Sequence, residues 1–259
     1  MTYTIKALQV YNGLPAPGPE TYYMSHFDKW YEYAYYIWLI QRGGKTILVD
    51  TGFPQDDDDL AILNEACQMV DERHFFDREK MTAPQDALAK VGVKPEDIDI
   101  VMATTLVAYA AGNLELFKNA ELYISRRGWI DIVAPEHPHK YKRQVLLTDS
   151  TMNCLVNDGA SRVHLVEDEI EILPGLKYFW VGVHHRGSMA FIAKTAKGNV
   201  AVSDSAFVFG NIEKNHCIGV FESIFEWHDS YARLTAESDI WLPIHDPELM
   251  VRYPEGDIA

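Results

Sequence analysis

The stretch Ile98–Phe117, "IDIVMATTLVAYAAGNLELF", reads as a buried strand running into a glycine turn and a second apolar run. Loops at strand ends are favoured places for chemistry, because a rigid sheet can hold side chains there. The loop Thr104–Tyr109, "TTLVAY", offers almost none: hydroxyls, aliphatic groups and a single phenol.

Reading outward, "APQDALAKVGV" (Ala83–Val93) has the spacing of an amphipathic helix closed by Gly92, and "KPEDID" turns it into the strand. Earlier, "YYIWLIQRGGKTILVDTGF" (Tyr35–Phe53) carries two apolar runs around Gly43-Gly44, a hairpin signal. Asp56 to Asp59 precede "LAILNEACQMV", where acids favour a helix N-terminus. A calcium loop would need alternating ligands and a glycine that this run lacks. Downstream, "AELYISRRGWIDIV" is a strand entering a helix, and the polar region 135–158 is partly helical. From Ser161 onward short strands recur about every ten residues. A hairpin is expected to turn at Gly198-Asn199, and the end reads as helix, short strand and loop. No internal repeat or low-complexity linker divides the chain. Residues 1–259 are therefore expected to form one domain of two sheets covered by helices, with residues 1–34 as an aromatic-rich lid or interface.

Composition removes several function classes. Hydrophobic residues at 47% and charged ones at 24% fit a globular protein. A net charge of −15 with no basic cluster argues against nucleic acid and anionic membranes as partners. No run approaches the roughly 18 apolar residues of a membrane span. Cys67, Cys154 and Cys217 are odd in number and form no CxxC pair. They point to a reducing compartment, so a cytoplasmic location is expected. No Gly-x-Ser-x-Gly, GxGxxG or P-loop is present, so a nucleotide cofactor and a serine elbow are unsupported.

In order, "ILVDTG", "GVKPEDIDIVMATT…AGNLELFKNAELYIS", "VHHRGS", "VAVSDSAF" and "LPIHDP" resemble the metallo-β-lactamase superfamily, and within it the acyl-homoserine-lactonase branch. The resemblance covers roughly residues 35 to 250. It implies an α/β (α+β) fold, a four-layer αββα sandwich with the site along one edge of the sheets. Family members read Thr-His-x-His-x-Asp-His-Ala-Gly where this chain reads Thr104-Thr105-Leu106-Val107-Ala108-Tyr109-Ala110-Ala111-Gly112. Four ligand positions are thus replaced, by Thr105, Val107, Tyr109 and Ala110. Three are kept: His184 and His245 match ligand histidines, and Asp204 matches the bridging aspartate. Phe207 stands where a substrate-steadying tyrosine often occurs in that branch.

The resemblance therefore implies a degenerate hydrolase homologue without a dinuclear centre and with no metal cofactor. The remnant site would be His184, Asp204, His245 and Tyr109, the first three bonded to one another. A non-catalytic subunit beside a metal-binding paralogue would explain a kept framework and an emptied loop. The rival is a hydrolase of a small neutral or aromatic substrate, metal-free or with one zinc or manganese ion on His184, Asp204 and His245. A third reading keeps the pocket for binding a small ligand. Of the other histidines, His137 and His139 read as an exposed loop and His185 as pointing away from the site. His26, His74, His164, His216 and His228 are assigned no role. The aromatic run Tyr22–Ile40 reads either as core or as an association surface, with Trp30 and Tyr33 its test positions for homo- or hetero-oligomer contacts.

Overall fold

In the strand Trp30–Arg42, successive side chains go to opposite cores. Tyr33, Tyr35, Ile37 and Leu39 pack outward, while Ala34, Tyr36, Trp38 and Ile40 pack between two sheets. That period of two is the signature of a strand buried on both faces. The computed structural model describes residues 2–259.

The first sheet contains β1 (Thr4–Pro17), β2 (Trp30–Arg42), β3 (Lys45–Val49), β4 (Ile100–Met102), β5 (Glu121–Ser125) and β6 (Val163–Val166), in that order. Its first pairings are antiparallel and those from β3 to β6 are parallel. The second sheet has β7 (Glu169–Leu173), β8 (Leu176–Trp180), β9 (Met189–Thr195), β10 (Gly198–Ser203) and β11 (Ile240–Leu242), in spatial order β11-β10-β9-β8-β7. Between the sheets lies one apolar core, containing Trp38, Ile47 and Met102 from the first and Tyr178, Phe191 and Val202 from the second.

Helices cover the outer faces. They are α1 (Gly18–Thr21), α2 (Asp57–Cys67), α3 (Pro84–Ala89), α4 (Ala108–Ala111), α5 (Arg126–Val133), α6 (Asp149–Asn153), α7 (Phe209–Glu213), α8 (Ile224–Glu237) and α9 (Leu249–Arg252). Leu60, Leu63 and Leu88 from α2 and α3 share the outer core with β1 and β2, and Trp227 and Leu234 of α8 share it with Phe179 and Ala201. The result is the αββα layering expected from the sequence. No helix among the described residues is long and apolar enough to cross a membrane.

Local chemistry accounts for the joints. The β2–β3 hairpin turns on Gly43 and Gly44, whose φ values of 58° and 80° are what a two-residue type I′ turn demands. The Asp56 side chain caps α2 by accepting from the amides of Asp58 and Asp59, so the acidic run serves a helix end. One expectation needs correction. The β9–β10 hairpin turns earlier than Gly198-Asn199, because Gly198 already pairs with Thr195. The N-terminal segment is also built into the fold: β1 is the first strand of the six-stranded sheet and pairs along its length with β2.

Candidate functional site

The parallel strands deliver their C-terminal loops to one edge. The Asp50 loop follows β3, the Thr104 loop follows β4, Asp204 follows β10 and His245 follows β11. The Thr104 loop is latched from below by the first of these. Asp50 accepts the Thr104 amide and hydroxyl, both at 2.7 Å. The Asn113 side-chain amide donates to the carbonyls of Thr51, Gly52 and Phe53 at 2.8, 3.2 and 2.7 Å. Gly112 packs so tightly that a Cβ there would run into the Ala108 and Gly52 carbonyls and the Pro54 nitrogen. Burial pushes the Asp50 carboxyl up to about 7 despite its two bonds from Thr104. These groups hold the backbone of a loop whose own side chains, Thr105, Val107 and Ala110, are buried and carry no ionisable atom.

Above the loop opens a cavity of about 520 Å³, walled by Tyr33, Tyr35, Phe76, Tyr109 and Phe207. His184, His185 and His245 line it too. His184 Nδ1 donates to the Val220 carbonyl at 2.9 Å, and His245 Nδ1 to the Ala34 carbonyl at 3.3 Å. Burial depresses these imidazoles to about 4 for His184 and about 3 for His245. Both rings are therefore neutral near pH 7, and the backbone bonds leave the lone pair on Nε2. His185 does not point away: its Nε2 lies 3.1 Å from the Tyr109 hydroxyl, and its ring centroid is 3.8 Å from that of His184. The Tyr109 hydroxyl is also 3.5 Å from His184 Nε2.

Asp204 sits apart from these. It lines neither this cavity nor its neighbour, and its Oδ2 accepts from Ser188 at 2.9 Å. Burial first, and the nearby Asp50 charge, raise its carboxyl well above the usual carboxylate range. Its Oδ1 and the Thr105 hydroxyl are buried without a hydrogen-bond partner. The expectation that His184, Asp204 and His245 bond to one another fails, since each is anchored to a different group.

A second cavity of about 450 Å³ adjoins the first and shares Val107, Lys140, Tyr141, Leu146 and His185 with it. His139 is part-buried there, bonded to the Asp131 carbonyl at 3.0 Å, while His137 is exposed. Glu20 of α1 also reaches the first cavity, and no sequence signal announces it. Within the aromatic run Tyr33, Tyr35, Tyr36 and Trp38 are core or pocket wall, Tyr33 being 2% exposed, whereas Tyr23 and Phe27 are exposed. Trp30 is more open, but the Arg73 guanidinium lies 3.7 Å over its ring.

A family model described as the metallo-beta-lactamase superfamily matches residues 30–104, a span that includes β2, the Asp50 loop and the start of the Thr104 loop. Over that span the chain is similar to the metallo-β-lactamase superfamily. It is 24% identical over 196 residues to an N-acyl homoserine lactonase of Bacillus cereus, covering 73% of this chain and 70% of the relative. A solved N-acyl homoserine lactone hydrolase, with N-hexanoyl-L-homoserine at its catalytic metal centre, superposes with a TM-score of 0.74 at 17% identity, covering 97% of each chain. A variant of Bacillus thuringiensis AiiA with N-decanoyl-L-homoserine bound has the same TM-score at 18% identity, again over 97% of both.

The metal centre implied by the metallo-β-lactamase fold does not fit the donors of this chain. Among the described residues no three His, Cys, Asp or Glu side chains gather as a ligand group. His184 and His245 face the cavity and Asp204 does not, so the surviving donors fail to converge even for a single ion. Between them this metallo-β-lactamase-like chain carries Thr105, Val107 and Ala110, which bring no charge.

Proposed function

We propose that this hydrolase-like chain binds a small, largely apolar molecule in the cavity at the family's catalytic position, and does not turn it over through a metal centre. The observation that carries the reading is the pairing of an open, aromatic cavity with a loop stripped of ligands but still latched by Asp50 and Asn113. A cavity of about 520 Å³ with few polar groups has the size and character of a small-molecule site. Metal-free hydrolysis is poorly served by these groups. Imidazoles held at about 4 and about 3 are weak bases near neutrality, and burial raises the Tyr109 phenol well above its usual value. The homoserine lactones handled by relatives are accordingly not proposed as substrates here.

The test combines native mass spectrometry in the presence of zinc or manganese with a thermal-shift screen of apolar small molecules. Expected are a metal-free chain and a melting temperature raised by bound ligand. One tightly held ion, lost in His184→Ala, would overturn the reading.

A second reading, a non-catalytic subunit beside an active paralogue, draws on a different feature. Tyr23, Met24 and Phe27 are 44%, 67% and 68% exposed on one short segment after α1, and Tyr23 stacks edge-on against Phe221 at 4.9 Å. Exposed apolar side chains so close together suit a contact with another chain. Co-expression with a paralogue bearing the full histidine motif would test it. A Met24→Ser, Phe27→Ser variant that still co-purifies with that paralogue would count against this surface.

A further inference from the structure

Glu20 faces the aromatic cavity together with Tyr33, Tyr35 and Cys67, and its carboxylate makes no hydrogen bond or ion pair with any described residue. Its backbone is fixed: the Glu20 carbonyl accepts from the Gly219 amide at 2.7 Å, and a Cβ on Gly219 would collide with Pro19. The backbone at Glu20 is therefore held beside the cavity, which its half-buried side chain lines. Tyr33 and Tyr35 line the cavity with it, and the Tyr33 hydroxyl is 2.9 Å from that of Thr21. Two further acceptors lie on the wall. His184 and His245 have their Nδ1 protons committed to backbone carbonyls, leaving Nε2 lone pairs toward the cavity.

We propose that this cavity selects an organic cation: an amine with an apolar or aryl body, its ammonium group paired with Glu20 beside the aromatic wall of Tyr33 and Tyr35. This rests on the reading of the cavity as a binding site and names the chemistry of its ligand. Aromatic faces attract a cation through their quadrupole, the more so when it is shielded from water. An unpaired carboxylate in an apolar wall is costly to keep charged, and an ammonium partner removes that cost while satisfying its lone pairs. In the free protein burial alone pushes the Glu20 carboxyl up to about 7, with no cation close enough to offset it. A ligand N–H also matches the two imidazole acceptors. Lys140, the one basic side chain on the wall, is exposed and shared with the second cavity.

The experiment is calorimetric titration of the whole chain at pH 8 with three probes that share one body: 4-phenylbutylamine, 4-phenylbutanol and 5-phenylvalerate. The amine is expected to bind at least tenfold more tightly than the alcohol, with the carboxylate weakest. Glu20→Gln, which keeps the shape and removes the charge, is expected to erase the difference between amine and alcohol. Equal affinity for amine and alcohol in the wild-type chain would overturn the cation reading while leaving the cavity a binding site. An amine preference that persists in Glu20→Gln would overturn the role of Glu20. No binding by any of the three would overturn both this inference and the binding reading beneath it.

Discussion

The Tyr109 hydroxyl lies 3.1 Å from His185 Nε2, joining a residue at a lost ligand position to a histidine with no ligand counterpart in the family. In this chain the acid of the motif has become a phenol within hydrogen-bond reach of a half-buried imidazole. The ring also packs against Tyr35, with centroids 5.4 Å apart, and so closes one side of the cavity wall.

That relationship makes Tyr109→Phe informative. The ring packing stays and only the hydroxyl goes, leaving His185 Nε2 without its partner. A loss of about 1 kcal/mol is expected, toward the low end for an orphaned buried polar atom because the cavity can admit water. Urea unfolding checks it: the midpoint should fall with the slope unchanged. A midpoint equal to or above wild type would mean the contact contributes nothing.

Asn113→Ala attacks the latch. Three carbonyls of the loop after Asp50 lose the one side-chain amide that serves them, all of it buried. The expected cost is about 2–4 kcal/mol, the range for breaking a buried network. Asn119→Ala, which removes a single exposed bond to Glu96, is the control and should cost well under half as much. Similar losses in the two variants would refute the latch.

Asp50→Asn predicts a pH-dependent gain. The folded-state value of Asp50 is raised from 3.8 to about 7, so the native chain binds the extra proton between those limits. Stability tied to this acid is fully present below about 3.8 and is lost as pH rises through about 7. Asparagine carries no such penalty and can still meet the Thr104 amide and hydroxyl. It also tolerates the positive φ of 62° at this position. The variant should match wild type near pH 4 and exceed it above pH 7. The ceiling is about 4 kcal/mol at 1.36 kcal/mol per pKa unit. His184 and His245 shift stability the opposite way, losing it as pH falls below about 6.5, but they do so in both proteins and cancel from the difference. A pH-independent gap between the two melting curves would show that Asp50 is not the titrating group.

Much of the fold was legible because its signals are local. The Gly43-Gly44 turn, the acid-capped helix after Asp56 and the alternation along β2 each follow from a few neighbouring residues. The order of motifs then supplied the αββα architecture by resemblance. The hairpin after β9 was misplaced because Gly198 looks like the turn itself, whereas its φ of 109° lies at the first paired residue beyond the turn. At the site, motif alignment located the Thr104 loop, yet it could not reveal that Asp204 lies outside the cavity that His184 and His245 face. Burial and side-chain direction depend on packing across the two sheets, which no single segment encodes. Glu20 was invisible for the same reason: "GPET" has no local peculiarity, and only the fold sets it against Tyr33 and Tyr35. The aromatic run was open to more than one reading for a simpler reason. Tyrosines fit an interface, a core or a pocket wall equally well, and β2 uses them for the last two.

The two-sided packing of β2 has a consequence for how this molecule can change over generations. Positions 33 and 35 shape the cavity, while 34, 36 and 38 lock the sheets together from the other side of the same backbone. Substitutions at the first pair reshape the cavity and its outer core while leaving the second set in place. The wall of the cavity and the seam between the sheets can therefore change separately, although both are read from one short strand.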